Sequence, residues 1–282
     1  MSKKLTEAEL NNIINNSSIL SSKPVNLTDI VNSCYFLIAN TFSWLLTNNK
    51  TKQQYVTNKQ YIENIAHSNN VDYITTILAD RSNKKTNIFD RYKQVINQHP
   101  LLSEVNTKTE KIENSDYGSF ISYIAGNCWI NAKLSNDIVL TPDDIGMISS
   151  INKLVDSVEP LSHPVKLFHG FEQYTNYNIP VPPKIGSIVG TKGFLSKSLS
   201  LNVAKSFAVG ENLFRPKFIM VEYPIGSKHI HPNFRITNEE FEYLTNSGEK
   251  LEITDIKSYF DFPQFLTFYC CRPLVQPDTT TK

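Results

Sequence analysis

The sequence predicts an α+β protein, a helical N-terminal region followed by a strand-rich body. Two observations carry that reading. Up to His99-Pro100, apolar residues recur at the three- and four-residue spacing of helices. Beyond Pro160, short β-branched and aromatic runs are broken by glycine and proline, as in Val165–Gly170 and the proline-heavy stretch Pro180–Pro183. With 282 residues, 40% of them hydrophobic, the chain can build one large or two modest cores. No internal repeat is evident.

The elements follow in order. Met1–Asn16 lacks an apolar core, so no signal peptide is expected. In Ile30–Leu46 the positions Ile30, Cys34, Leu37, Ile38 and Leu45 mark a helix. Asn32, Ser33, Asn40, Thr41 and Ser43 interrupt its apolar character, which predicts a buried helix rather than a membrane span. Tyr61, Ile62, Ile65 and Ala66 form one further stripe, Val71, Ile74, Ile77 and Leu78 a second, and Ile88, Phe89, Tyr92, Val95 and Ile96 a third. The polar stretch Ser103–Ser115 reads as a linker, which divides the chain into a helical region 1–110, a body 111–275 and a tail 276–282. The first region is either a partner-recognition domain or a cap on the second. Thr141-Pro142-Asp143-Asp144 predicts a helix start: a capping hydroxyl, proline in the first turn and acids at the positive end. That helix carries Ile145, Ile148 and Ile151 and ends by Pro160. Val165, Leu167 and His169 share one face of a short strand closed by Gly170. Ser200 caps a helix whose apolar face is Val203, Ala204 and Phe207.

A net charge of +1 argues against a general nucleic-acid or anionic-membrane binder. Cys34, Cys128, Cys270 and Cys271 lack metal-ligand spacing, and free, mostly buried thiols suit a reducing, cytoplasmic compartment. His229 and His231 form a His-x-His pair without a third ligand at convincing spacing, so no metal is expected. Neither a Walker-type phosphate loop nor a Gly-x-Gly-x-x-Gly fingerprint is present.

Chemistry concentrates in Phe234–Leu244. Glu240 and Glu242 stand two apart at the front of a β-prone run, so in a strand both face one way while Phe241 and Tyr243 face the other. Alone, such a pair reads as a solvated strand edge; two like charges so close otherwise call for a cationic partner. Upstream lie the strand ending in His169-Gly170 and the segment Gly193-Phe194-Leu195-Ser196-Lys197-Ser198 that leads into a helix. This order, strand–His–Gly, then Phe-x-Ser-x-Ser, then Glu-x-Glu, resembles the ADP-ribosyltransferase superfamily. It is most similar to the arginine–serine–glutamate branch of mono-ADP-ribosyltransferases and toxin-like exoenzymes. The resemblance spans about Glu113 to Pro273. Within it, Tyr117–Leu134 looks like the helical lead-in, Ile219–Lys228 like the strand and turn before the glutamate loop, and Leu251–Ile253 with Phe265–Cys270 like the closing strands.

The resemblance implies two packed antiparallel sheets forming an NAD cleft with flanking helices. It implies transfer of ADP-ribose from NAD to a protein side chain, with nicotinamide released and no metal required. The ribosyl transition state is a cation that a fixed carboxylate stabilises as charge develops, the role implied for Glu242. Glu240 would orient the nucleophile, and glutamate there goes with arginine acceptors. Ser196 would orient Glu242 or the nicotinamide ribose, Ser198 would support the turn, and Lys197, in place of the usual threonine, would point away from the pocket. Phe234 and Arg235 fall in the substrate-recognition loop. His169 stands where this branch has arginine; it is similar instead to the His-Gly start of the diphtheria-toxin-like branch, where the imidazole bonds a ribose hydroxyl. Gly170 would then let the flat nicotinamide approach the backbone. Of the aromatics flanking the segment over nicotinamide, Phe214 is the stacking candidate and Phe207 is expected in the core. Water as acceptor would give an NAD glycohydrolase, and a catalytically inactive binding or structural module is the reading from another class. An Asn-, Lys- and Ile-rich composition fits an AT-rich coding genome, as in many viruses and bacteria, and delivery into another cell or carriage in a virion stays open.

Overall fold

The computed structural model describes residues 27–69, 71, 99, 103–104, 115–124, 129–171, 181–208, 215–230 and 242–274. In chain order the helices are α1 (Leu27–Leu46), α2 (Asn49–Asn69), α3 (Ser115–Ile124), α4 (Trp129–Ser135), α5 (Pro142–Ser157) and α6 (Leu201–Phe207). The strands are β1 (Val165–Phe171), β2 (Ile188–Gly190), β3 (Ser196–Ser198), β4 (Lys217–Tyr223), β5 (Glu242–Leu244), β6 (Lys250–Asp261) and β7 (Gln264–Pro273). The expected stripes at Ile74–Leu78 and Ile88–Ile96, both domain boundaries, Cys128, Phe214, His231, Phe234, Arg235 and Glu240 lie outside the described residues.

Where two packed sheets were expected, the described strands form one seven-stranded sheet, ordered β2-β6-β7-β4-β1-β3-β5. The reason is β3: three residues long, it pairs with β1 on one side and β5 on the other, so hydrogen bonding runs on without a break. Every pairing is antiparallel except β4 with β7, which is parallel.

Side-chain alternation sorts the sheet into two cores. Val165, Leu167, Ile219, Val221, Tyr269 and Cys271 enter one cluster. Phe168, Phe218, Met220, Phe268 and Cys270 enter the other, which α2 and α6 cover with Ile62, Ile65, Leu201 and Ala204. Cys270 and Cys271 therefore face opposite ways, both buried and free. Burial pushes the Cys270 thiol up to about 12 and Cys271 higher still, so neither is a nucleophile. A third cluster holds Phe120, Ile151, Leu154, Phe194 and Leu244, where α3 and α5 pack beside β5.

Helix α5 starts as its sequence requires, with Thr141 and Asp144 forming a reciprocal capping box and Pro142 in the first turn. Its Ile151 is buried, while Ile145 is exposed. Helix α2 is tied down by Asn69, whose side-chain amide donates to the carbonyls of Lys166 and Leu199, both at 2.9 Å. Helix α1 is a helix, as its spacing predicts, but not a buried one: Tyr35, Ile38, Phe42, Leu45 and Leu46 are all exposed. It meets the sheet along a narrow line, through Asn40, which donates to the Pro263 carbonyl at 3.2 Å, and Trp44, stacked on Phe260 at 5.0 Å. Among the described residues no helix is long and apolar enough to cross a membrane.

Candidate active site

Three short pieces of backbone build the site. Strand β1 brings His169 and Gly170, β3 brings Ser196 and Ser198, and β5 opens with Glu242. Register aligns part of it: Ser198 pairs with Phe168 on one side and with Glu242 on the other, and paired residues point to the same face. His169, one residue on from Phe168 and so on the other face of β1 by alternation, nonetheless lines the same small cavity of about 20 Å³ as Gly170, Ser196, Ser198 and Glu242, with Phe207 at its edge. Glu242 is buried, with only 7% of its surface accessible.

The His169 ring is fixed. Its Nδ1 lies 2.6 Å from the Ser196 carbonyl, an acceptor, so Nδ1 carries the proton and donates. Burial lowers the His169 pKa to about 4; the Ser196 carbonyl opposes that shift and the Lys197 charge adds to it. At neutral pH the ring is uncharged and its Nε2 is an acceptor. Such a ring suits a hydroxyl; it does not replace an arginine as a phosphate grip.

Gly170 has a packing reason of its own. A Cβ there would sit 1.9 Å from the Ala204 carbonyl and 2.9 Å from the Ala208 Cβ. The missing side chain lets α6 lie directly on β1, filling the direction a Cβ would take.

Helix α6 is capped by Ser200, whose Oγ accepts from the Val203 amide at 3.2 Å. Its inward face is Leu201 and Ala204, continued by Ala208. Phe207, expected in the core, is 55% exposed beside the cavity. In a helix of seven residues the close approach at Gly170 sets the rotation, and of the expected apolar face it turns Ala204 inward and leaves Phe207 outside.

Lys197 helps line the cavity, but its ammonium turns away from it, into full burial. Its Nζ reaches Glu249 Oε2 at 2.7 Å and Thr245 Oγ1 at 2.9 Å. Asn131 supports the approach to β3, which sequence reasoning missed: its side chain accepts from the Phe194 amide at 2.8 Å and donates to the Phe194 carbonyl at 2.9 Å. Gly193 leaves room for it, since a Cβ there would lie 2.3 Å from Asn131 Oδ1. The glycine before Phe-x-Ser-x-Ser was the available signal. His229 is buried against Tyr223 and Tyr243 at ring distances of 4.5 and 6.0 Å, with Nε2 3.0 Å from Ser227 Oγ. Among the described residues no group of His, Cys, Asp and Glu is arranged to hold a metal ion.

No family model matches the chain, and no curated protein matches it. Solved structures do. Plx2a, an ADP-ribosyltransferase toxin from Paenibacillus larvae, superposes with a TM-score of 0.52 at 16% identity over 64% of this chain and 96% of its own. The enzymatic component C2-I of the C2-toxin from Clostridium botulinum gives 0.52 at 15% identity, over 62% of this chain and 46% of its own. The ADP-ribosylating toxin BECa of a binary enterotoxin of C. perfringens, solved with NADH, gives 0.50 at 13%, over 64% and 48%. This chain spans about half the length of the last two. At these identities the likeness is one of fold.

Proposed function

We propose that this chain, whose fold is that of the ADP-ribosyltransferase superfamily, is an NAD-dependent mono-ADP-ribosyltransferase that modifies proteins on arginine. The observation that supports it is the convergence of His169, Ser196 and Glu242 on one cavity from three separate strands. Breaking the bond between nicotinamide and ribose leaves positive charge on the ribosyl carbon, and nicotinamide departs neutral with the bonding pair. The Glu242 carboxylate, fixed and largely dehydrated, attracts that charge more strongly as it grows. Neutral His169 accepts a ribose hydroxyl through Nε2, and Ser196, whose carbonyl holds the ring, donates beside it. Phe207, or Phe214 beyond it, stacks on the pyridinium face. Glu240 holds the incoming guanidinium by paired charge-assisted bonds and takes its proton, and Phe234 with Arg235 contacts the target. The N-terminal helices act as a cap on the catalytic body, a reading supported by the seat of α2 on the sheet.

Incubation with labelled NAD and a cell lysate tests this. Labelled protein and free nicotinamide are expected from the wild type, with rates down about 100- to 1,000-fold in Glu242→Gln. Glu240→Gln is expected to lose protein transfer while keeping NAD hydrolysis. Mapping the modified residues by mass spectrometry identifies the acceptor; label on side chains other than arginine overturns that part. No label and no nicotinamide would mean a binding module.

A further inference from the structure

A lysine buried beside a binding cavity, with its charge turned away from that cavity, is an expensive feature that the chemistry above does not use. Lys197 is 1% exposed as a residue, its side chain not at all. It sits between Ser196 and Ser198, the two serines of the site. Its ammonium donates to Glu249 and Thr245, Thr245 donates to Glu249 at 3.0 Å, and the Tyr223 hydroxyl donates to the other Glu249 oxygen. The ammonium also lies 5.2 Å from the Tyr223 ring centre. One ion pair therefore ties β3 to the residue after β5, the residue before β6 and the end of β4.

Position gives this network its consequence. Thr245 is three residues beyond Glu242, and Lys197 pairs across the β3–β5 ladder with Tyr243. That ladder is only three residues long on each side, so its own hydrogen bonds fix its register weakly. A buried ion pair is a poor source of net stability, because dehydrating both charges offsets most of their attraction; its best-attested use is to fix a register. The turn it closes is fastened to the approach to β3 by backbone bonds from Gly248 to Gly193 and from Thr191 to Glu249.

We infer that Lys197 is a positioning residue: its pairing with Glu249 and Thr245 holds β5 in register against β3 and so sets Glu242 against Ser196 and His169. This rests on the transferase reading for its catalytic consequence, while the strand-holding claim does not.

The test compares Lys197→Met, which strands the buried Glu249 carboxylate, with Lys197→Met/Glu249→Gln, which removes both charges and keeps the Tyr223 and Thr245 contacts. The single variant is expected to lose much of its stability or fail to fold. The double variant is expected to fold with a melting temperature near wild type. In it, amide hydrogen exchange over residues 196–198 and 242–244 is expected to rise about 10-fold, with β1 and β4 unchanged. Nicotinamide release is expected to fall about 10- to 100-fold with NAD affinity little changed, since a misplaced group costs rate before binding. Unchanged exchange in the folded double variant overturns the proposal, whatever its activity. So does faster exchange with an unchanged rate, or failure of the double variant to fold, because the pair then serves the core alone. If the wild type releases no nicotinamide, the transferase reading fails and exchange still decides whether Lys197 holds the strand.

Discussion

Whether His169 meets a ligand as a cation or as a neutral ring decides what it can bind. With a pKa near 4 and Nδ1 committed to the Ser196 carbonyl, it offers an acceptor and no charge across the physiological range. NAD affinity should then be flat from pH 8 to about 5 and weaken as the ring protonates towards pH 4; calorimetric titration that finds an inflection near 6.5 would contradict this. His169→Ala should weaken NAD about 5-fold, the worth of one hydrogen bond of roughly 1 kcal/mol. Gly170→Ala should cost roughly 3 kcal/mol or more, because the added methyl meets a helix carbonyl that cannot yield without moving α6. Denaturant melting with a loss below about 1 kcal/mol would show that α6 is looser than its contacts imply. At this scale the motif residues were legible, since strand alternation alone sets Ser196 apart from Lys197. The partners of Lys197 and Asn131 were not: they lie 52 and 63 residues away, and nothing local records such a meeting.

Elements show the same division between local and tertiary information. The starts of α5 and α6 were readable because a cap is a short-range device that needs only its own first turn. The side each helix buries was less so. Spacing along α1 announced an apolar stripe, yet the sheet meets that helix through Asn40 and Trp44, and Ile38 and Leu45 of the stripe face outward. Spacing along α6 put Val203, Ala204 and Phe207 on one face, yet the gap over Gly170 admits only a small side chain, so Ala204 turns in and Phe207 stays out. Helix α2 gave its buried residues correctly in Ile62, Ile65 and Ala66, but its anchor is polar. Asn69 satisfies the carbonyls of Lys166 in β1 and Leu199 just past β3. Asn69→Ala leaves both without that donor and should cost about 2 kcal/mol. The loss should also appear as faster amide exchange across the end of α2; a thermal melt indistinguishable from wild type would remove this anchor from the account.

The molecule as a whole carries an acid liability. His169 and His229 are held neutral by burial, at about 4 and about 3, with the Lys197 charge adding to both shifts. Below the unfolded value near 6.5 the unfolded chain binds protons that the folded chain refuses, so stability rises with pH and falls on acidification. The loss should begin near pH 6.5, grow to roughly several kcal/mol by pH 4, and be visible as a falling melting temperature. Replacing His229 with Phe should shrink it, and an unchanged acid limb would refute the assignment. The chain's α+β character was plain from its spacing, whereas the single continuous sheet was not, because it takes the three residues of β3 to join β5 to the five strands that end at β1.

One pairing in that sheet governs the order of assembly. Strand β4 lies parallel to β7, with Ile219 beside Tyr269, and β5 and β6 intervene in the chain between them. During synthesis β1 and β4 can pair early, but the outer edge of β4 stays bare until residues 264–273 leave the ribosome. Until then β2 and β6 have no route to the other half, and the bare edge is open to other unfinished chains. Closure of the described sheet is thereby timed by β7, the last of its strands to be made.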